Sequence, residues 1–189
     1  MLRIIVTLIY IVVANHALAD WEMVKDASSV SFGTVKNETV SELHEFTEFR
    51  GSVQNNGVAR IEIDLLSVDT GIEIRDQRMR EFLFSDSTRA IYNANMQMQR
   101  ITSIPIGESV DLKLDGSLDL NGRSEEMPLK VRVTNLNSGK FLVETIAATK
   151  IDVSAFRFAE GIEQLRSIAG LNAISPIVTL QFKLEFELK

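Results

Sequence analysis

The side chains best placed for chemistry gather in one stretch, residues 60–84. Its second half sets Arg75, Arg78 and Arg80 beside Asp76 and Glu81, with Met79, Phe82 and Phe84 interleaved. A guanidinium fork can grip a phosphate or another oxygen-rich head group. The same arginines can instead pair with the neighbouring carboxylates, as surface charges often do. Covalent chemistry has less to work with. The chain has no cysteine, two histidines (His16 and His44) and no G-x-S-x-G elbow. His44 stands in a strand beside Glu42 and Glu45, where a solvated structural role is expected. Zinc, copper and haem would lack their usual ligands. Residues 117–122 resemble the start of a calcium loop, but its twelfth position is Pro128 rather than a glutamate. No catalytic residue and no metal ligand is assigned, and an enzyme is not expected.

The elements that must position this stretch are strands. Ala59, Ile61, Ile63 and Leu65 alternate with Arg60, Glu62 and Asp64, the period-two pattern of a ribbon with one dry face. The pattern breaks at a turn over 67–71, where Gly71 is free to take positive φ. An amphipathic, partly helical excursion follows, with Ile74, Met79, Phe82 and Leu83 apolar and Asp76 placed to cap or brace its start. Before it, 21–35 reads as a strand with Val30 and Phe32 on one face. Residues 40–53 read as a second, with Gly51 at a bulge or close approach. Asn55-Asn56-Gly57 turns into the strand already described.

After the excursion, Ala90, Tyr92, Ala94, Met96 and Met98 share one face of a strand over 90–98. A strand over 110–120 turns at Asn121-Gly122 into one over 129–133. Asn137-Ser138-Gly139 then leads into 141–149. A second helix is predicted over 159–169, with Gly170 as its C-terminal cap. Residues 178–188 alternate most cleanly of all. About eight strands, mostly hairpin-linked, with two short helical excursions, predict a mainly β fold, a sandwich or an up-and-down barrel. The polar faces carry Lys, Glu and Asp, so they face water rather than lipid, and the apolar faces point inward. A soluble antiparallel barrel is expected.

Residues 1–19 read as a signal peptide: Arg3, an apolar run over 4–13, and Ala17-Leu18-Ala19 before Asp20. The run falls short of the ~20 residues of a comfortable span. Cleavage after Ala19 would leave 20–189 as a single domain in the periplasm, with no transmembrane span. Export without cysteine favours a bacterial periplasm. A net charge of −6 without a basic run argues against nucleic acid and anionic lipid surfaces as partners. Asn37-Glu38-Thr39 matches a glycosylation sequon and is read as a chance match.

A barrel of eight strands either fills with side chains or holds one small ligand. The inward set includes Phe46, Phe49, Tyr92, Met96, Met98, Phe182 and Phe186. Methionine is flexible and suits a pocket for a long, irregular guest. The pattern alone leaves a filled core and a ligand cavity both open. Met79, Phe82 and Phe84 either cover the barrel end or line its entrance.

Ser67-Val68-Asp69-Thr70-Gly71 followed by Arg75-Asp76, Met79-Arg80 and Phe82 resembles the signature of the YceI-like family. Trp21 and 29–32 look like that family's opening strand, and 46–51 like its F-x-x-F-x-G stretch. Residues 118–122 with 127–131 look like its glycine-turn hairpin, and 178–186 like its closing strand. The resemblance implies an exported, lipocalin-like antiparallel barrel that binds polyisoprenoids and other long-chain amphiphiles. On that basis the expected function is non-enzymatic. The protein would bind, store or transport a polyisoprenoid, quinone-like or fatty-acyl molecule, with a polyprenyl or quinone-type lipid bound and no covalent cofactor. A homodimer is left open. The residues expected at the ligand are Phe46, Phe49, Arg75, Met79, Phe82, Phe84, Tyr92, Met96 and Met98. The alternative is a filled barrel acting as an envelope protein-interaction module, marked by an outer apolar patch. Thr88-Arg89 stands where the family usually has a tyrosine-proline pair, and 162–173 is longer than in the plainest members, so the mouth departs from the pattern.

Overall fold

The computed structural model describes residues 21–189, and the expected leader over 1–19 lies outside the described residues. One antiparallel sheet of fourteen strands dominates the fold. These strands follow from eight passes of the chain, most of them bent. The first pass is β1 (Trp21–Met23) and β2 (Ser29–Lys36), parted by a single helical turn at Lys25–Ala27. The second is β3 (Val40–Phe46) and β4 (Phe49–Val53), and the third is β5 (Val58–Asp64) and β6 (Val68–Asp69). The fourth is β7 (Arg89–Asn95). Then come β8 (Ser109–Leu114) with β9 (Gly116–Leu120), β10 (Arg123–Glu126) with β11 (Leu129–Asn137), and β12 (Lys140–Thr145) with β13 (Thr149–Asp152). The chain closes on β14 (Ile177–Leu188).

The bent passes stay paired on both sides of their bends. β1 pairs with β4 while β2 pairs with β3. β14 carries four partners: β1 and β2 along one flank, β12 and β13 along the other. The ladder runs as a path from β10 to β8. Its ends are two parts of one hairpin, because only Asp115 separates β8 from β9. The two ends of the path thus lie next to each other along the chain. The inward residues form a single core, in which Val68, Val131 and Val133 are almost fully buried and Trp21 packs 4.9 Å from Phe141. Asn121 and Gly122 both take positive φ, the backbone a two-residue hairpin requires. Gly51 is a close approach, as expected: a Cβ there would lie 2.6 Å from both Ile61 and Met23.

Two expectations are corrected. The strand over 90–98 stops at Asn95, because its last rung is Val58↔Asn95 and β5 has no further residue to offer. Met96 N–H is taken by Gly57 O (2.7 Å), and Met98 instead opens a short helix, α2 (Met98–Thr102). Buried Ile101 and a hydrogen bond from Asn135 Nδ2 to Ile104 O (2.7 Å) hold that helix down. The predicted single strands over 21–35, 40–53 and 110–120 are two strands each, divided at the bends; β8, for example, pairs with β11 and β9 with β7. The two expected excursions are α1 (Glu73–Phe82) and α3 (Ala159–Ile168), so α2 makes three α-helices among the described residues.

Candidate functional site

The sheet encloses two adjoining cavities. The outer one, about 270 Å³, lies beneath α1 and α3. The inner one, about 70 Å³, lies between the strands away from these helices. Both are walled by Ile63, Ala90, Leu118 and Leu180, so the first ends where the second begins.

The roof of the outer cavity is built by local chemistry. Thr70 gives Asp76 two hydrogen bonds, from its N–H (3.0 Å) and its hydroxyl (2.5 Å), which ties the turn to the first helical coil. Arg80 donates to the Leu66 and Val68 carbonyls (2.7 and 3.2 Å), so it is spent on the backbone. Helix α3 touches α1 at Gly161, where an added Cβ would lie 2.4 Å from the Phe82 carbonyl oxygen. The loop after α3 is pinned in turn. Asn37 Oδ1 accepts the N–H groups of Asn172 and Ala173 (2.9 and 3.3 Å), so the sequon asparagine is engaged in a turn contact. From these helices Met79, Ile162 and Leu165 face the cavity, while Ile74 points away and is 53% exposed.

Below the roof runs an aromatic wall. Phe32 stacks on Phe46 at 4.8 Å, Phe46 meets Phe84 at 6.3 Å, and Phe84 meets Phe158 edge-on at 6.0 Å. All four rings line the outer cavity. Next to them β2, β3 and α1 bring together a polar cluster: Thr34, Lys36, Glu42, His44 and Arg75. Glu42 accepts from Arg75 Nη1 (2.8 Å) and Lys36 Nζ (2.7 Å), and Arg75 Nη2 donates to Thr70 O (2.7 Å). Burial pushes the Glu42 carboxyl up, but the hydrogen bonds and charges of Lys36 and Arg75 outweigh it and hold it below the usual range.

His44 corrects the sequence reading. It is 4% exposed, whereas its neighbour Leu43 is 62% exposed. Pairing decides this: His44 sits opposite Phe32 and Phe46 opposite Val30, so the even-numbered residues of β3 share the inward face. Burial, followed by the charge of Arg75, lowers the imidazole pKa, so the ring is favoured neutral. Nε2 lies 3.2 Å from Thr34 Oγ1 and 3.7 Å from Glu42 Oε2. A nucleophile–base relay needs the carboxylate on the other ring nitrogen, and here both neighbours crowd the same one. His44 Nδ1 and Arg75 Nε are buried without a hydrogen-bond partner among the described residues. Two donor-capable atoms in the wall of an apolar cavity suit the polar end of an amphiphile.

The inner cavity is lined by Tyr92, Met96, Met127 and Phe182, among others. Tyr92 donates its hydroxyl to Met127 O (2.9 Å), and burial with the charge of Asp115 pushes its pKa up to about 12. The phenol is thus a satisfied, neutral part of the wall.

Of the residues singled out from the sequence, Phe46, Arg75, Met79 and Phe84 line the outer cavity, and Tyr92 and Met96 the inner one. Phe49, Phe82 and Met98 line neither. Phe49 is buried in the sheet, Phe82 is half-buried where α1 meets α3, and Met98 sits at the start of α2. Sequence reasoning missed Thr34, Lys36, Glu42 and the α3 residues Ile162 and Leu165. The one signal for the first three was their spacing of two along adjacent strands, which becomes informative only once the register is known.

Among the described residues no helix is long and apolar enough to cross a membrane. The model of the YceI-like domain matches residues 21–186. A polyisoprenoid binding domain from Saccharophagus degradans, implicated in plant cell wall breakdown, is 28% identical, with a TM-score of 0.87 over 91% of this chain and 100% of that one. BcnA of Burkholderia cenocepacia shares the fold at 21% identity (TM-score 0.63, 86% of this chain and 98% of that one). A YCEI protein of Campylobacter jejuni does so at 15% identity (TM-score 0.56, 77% and 84%). No curated protein matches the chain significantly. With the family's domain spanning nearly all the described residues, the chain belongs to the YceI-like family.

Proposed function

We propose that this protein binds a long-chain apolar amphiphile, of polyisoprenoid, quinone-like or fatty-acyl type, and stores or carries it in the periplasm after loss of residues 1–19. The observation that carries this reading is the pair of adjoining apolar cavities inside the sheet, with one polar cluster on the outer wall. The tail occupies the interior, and the polar end turns toward His44 and Arg75. Binding needs no reaction: each methylene removed from water contributes about 0.8 kcal/mol, so a long tail is held by burial alone. The similarity to a polyisoprenoid binding domain supports the same ligand class.

The test is native mass spectrometry of protein purified gently from periplasm, followed by solvent extraction of anything bound. A stoichiometric adduct in the mass range of a long-chain lipid is expected, together with a mature N-terminus at Asp20. A bare mass combined with failure to bind added polyprenyl and fatty-acyl probes would end the carrier reading.

A further inference from the structure

Four residues line both cavities, and they come from opposite walls. Ile63, Ala90 and Leu118 belong to β5, β7 and β9, which are adjacent in the ladder. Ile63 and Ala90 sit directly opposite each other across β5 and β7. Leu180 comes from β14, which is separated from β5 by two further strands, and approaches from the far side. Three of the four are large aliphatic residues, and the fourth is alanine. Ala90 is 6% exposed, so its methyl group is part of the interior wall and not of the outer surface. The inner cavity behind it has an almost wholly apolar lining that includes flexible Met96 and Met127.

We propose that Ile63, Ala90, Leu118 and Leu180 form a neck that gauges the length of the ligand's tail, and that Ala90 is the specificity-determining residue because its small side chain keeps the neck open. A tail that fits the outer cavity is held by that cavity alone. A longer tail threads past Ala90 and gains further affinity by burying its end between Tyr92, Met96 and Phe182. This inference rests on the ligand reading above and adds to it a length threshold with a named residue behind it.

The experiment is a chain-length series. Unlabelled all-trans polyprenols of increasing length compete with a fluorescent fatty acid for the wild-type protein and for Ala90→Leu, with circular dichroism confirming that each variant is folded. In the wild type, affinity rises by about fourfold for each further methylene buried, until the inner cavity is filled. In Ala90→Leu the short polyprenols bind as before, and the rise stops at a shorter chain, leaving the longest probes at least tenfold weaker than in the wild type. Leu180→Ala widens the same neck, so its plateau lies at or beyond the wild-type length. Identical length profiles in all three proteins would overturn the neck while leaving the carrier reading intact. Failure of the wild type to bind any member of the series would overturn both. Should Ala90→Leu not fold, the smaller Ala90→Val takes its place: a rise that stops at a shorter chain than in the wild type is expected, and a length profile identical to the wild type rules the neck out.

Discussion

Asp76 reaches backward out of α1 to Thr70 and accepts both its N–H and its hydroxyl, at 3.0 and 2.5 Å. The residue at the usual capping position, Ile72, has no side chain able to cap, so this pair does the capping work from inside the helix. Asp76 is buried, and its bonds anchor the helix that roofs the outer cavity.

Asp76→Ala should therefore lower stability by about 1.5–3 kcal/mol, the range for losing hydrogen bonds to a charged group. Urea denaturation measures this. A loss below about 0.5 kcal/mol would show that the turn holds without the carboxylate.

Glu42 is the shared acceptor of Lys36 and Arg75. Glu42→Gln keeps the shape and removes the charge, leaving two cations side by side in the cavity wall. Destabilisation of about 1–3 kcal/mol is expected, between the values for exposed and fully buried pairs. The double variant with Lys36→Met should recover part of it, and no recovery would mean that the pair is not coupled.

Acid should act first through His44. Its folded-state pKa lies below the unfolded value of 6.5, so below about pH 6.5 the unfolded chain takes up a proton that the folded one refuses. Stability from this group is complete above that pH and falls as pH drops, with a slope of at most about 1.4 kcal/mol per unit. Glu42, with its pKa held below 4.5, keeps its contribution down to that pH and loses it only on further acidification. Between pH 7 and 5 the fall in stability should be flatter in His44→Gln than in the wild type, and equal slopes would contradict a buried neutral imidazole.

Gly161 is where α3 lies against the backbone of α1. A methyl group there has nowhere to go but into the Phe82 carbonyl, so Gly161→Ala should push the helices apart. A stability loss of about 1–3 kcal/mol is expected, together with faster release of a bound fluorescent fatty acid. An unchanged release rate would separate the helix contact from retention.

The strands with one wet face were legible from the sequence, because their alternation repeats the burial of the sheet. β11 is the clearest case, and the positive φ angles at Gly71, Asn121 and Gly122 follow from local sterics alone. What depends on a distant partner was not legible. Val40 and Leu43 give β3 apolar residues of both parities, and only its register with β2 turns His44 and Glu42 inward. Met98 continues the alternation of β7 beyond the point where β5 stops offering rungs. The site suffered most for the same reason. Phe46, Phe84 and Arg75 could be singled out by type, but a cavity is defined by space left between walls, and the smallness of Ala90 means nothing until Leu180 is known to face it.

The four partners of β14 also dictate an order of events. Its flanks hold the beginning of the described chain (β1 and β2) and the segments just before it (β12 and β13). β4 and β3 pair with one flank of β1 and β2, but the other flank is filled only when β14 docks, and contacts of such long sequence separation form slowly. A chain in which β14 has not docked keeps β1 and β2 unpaired along that edge. Closure of that side of the sheet therefore depends on this one strand, which joins segments from both halves of the described chain.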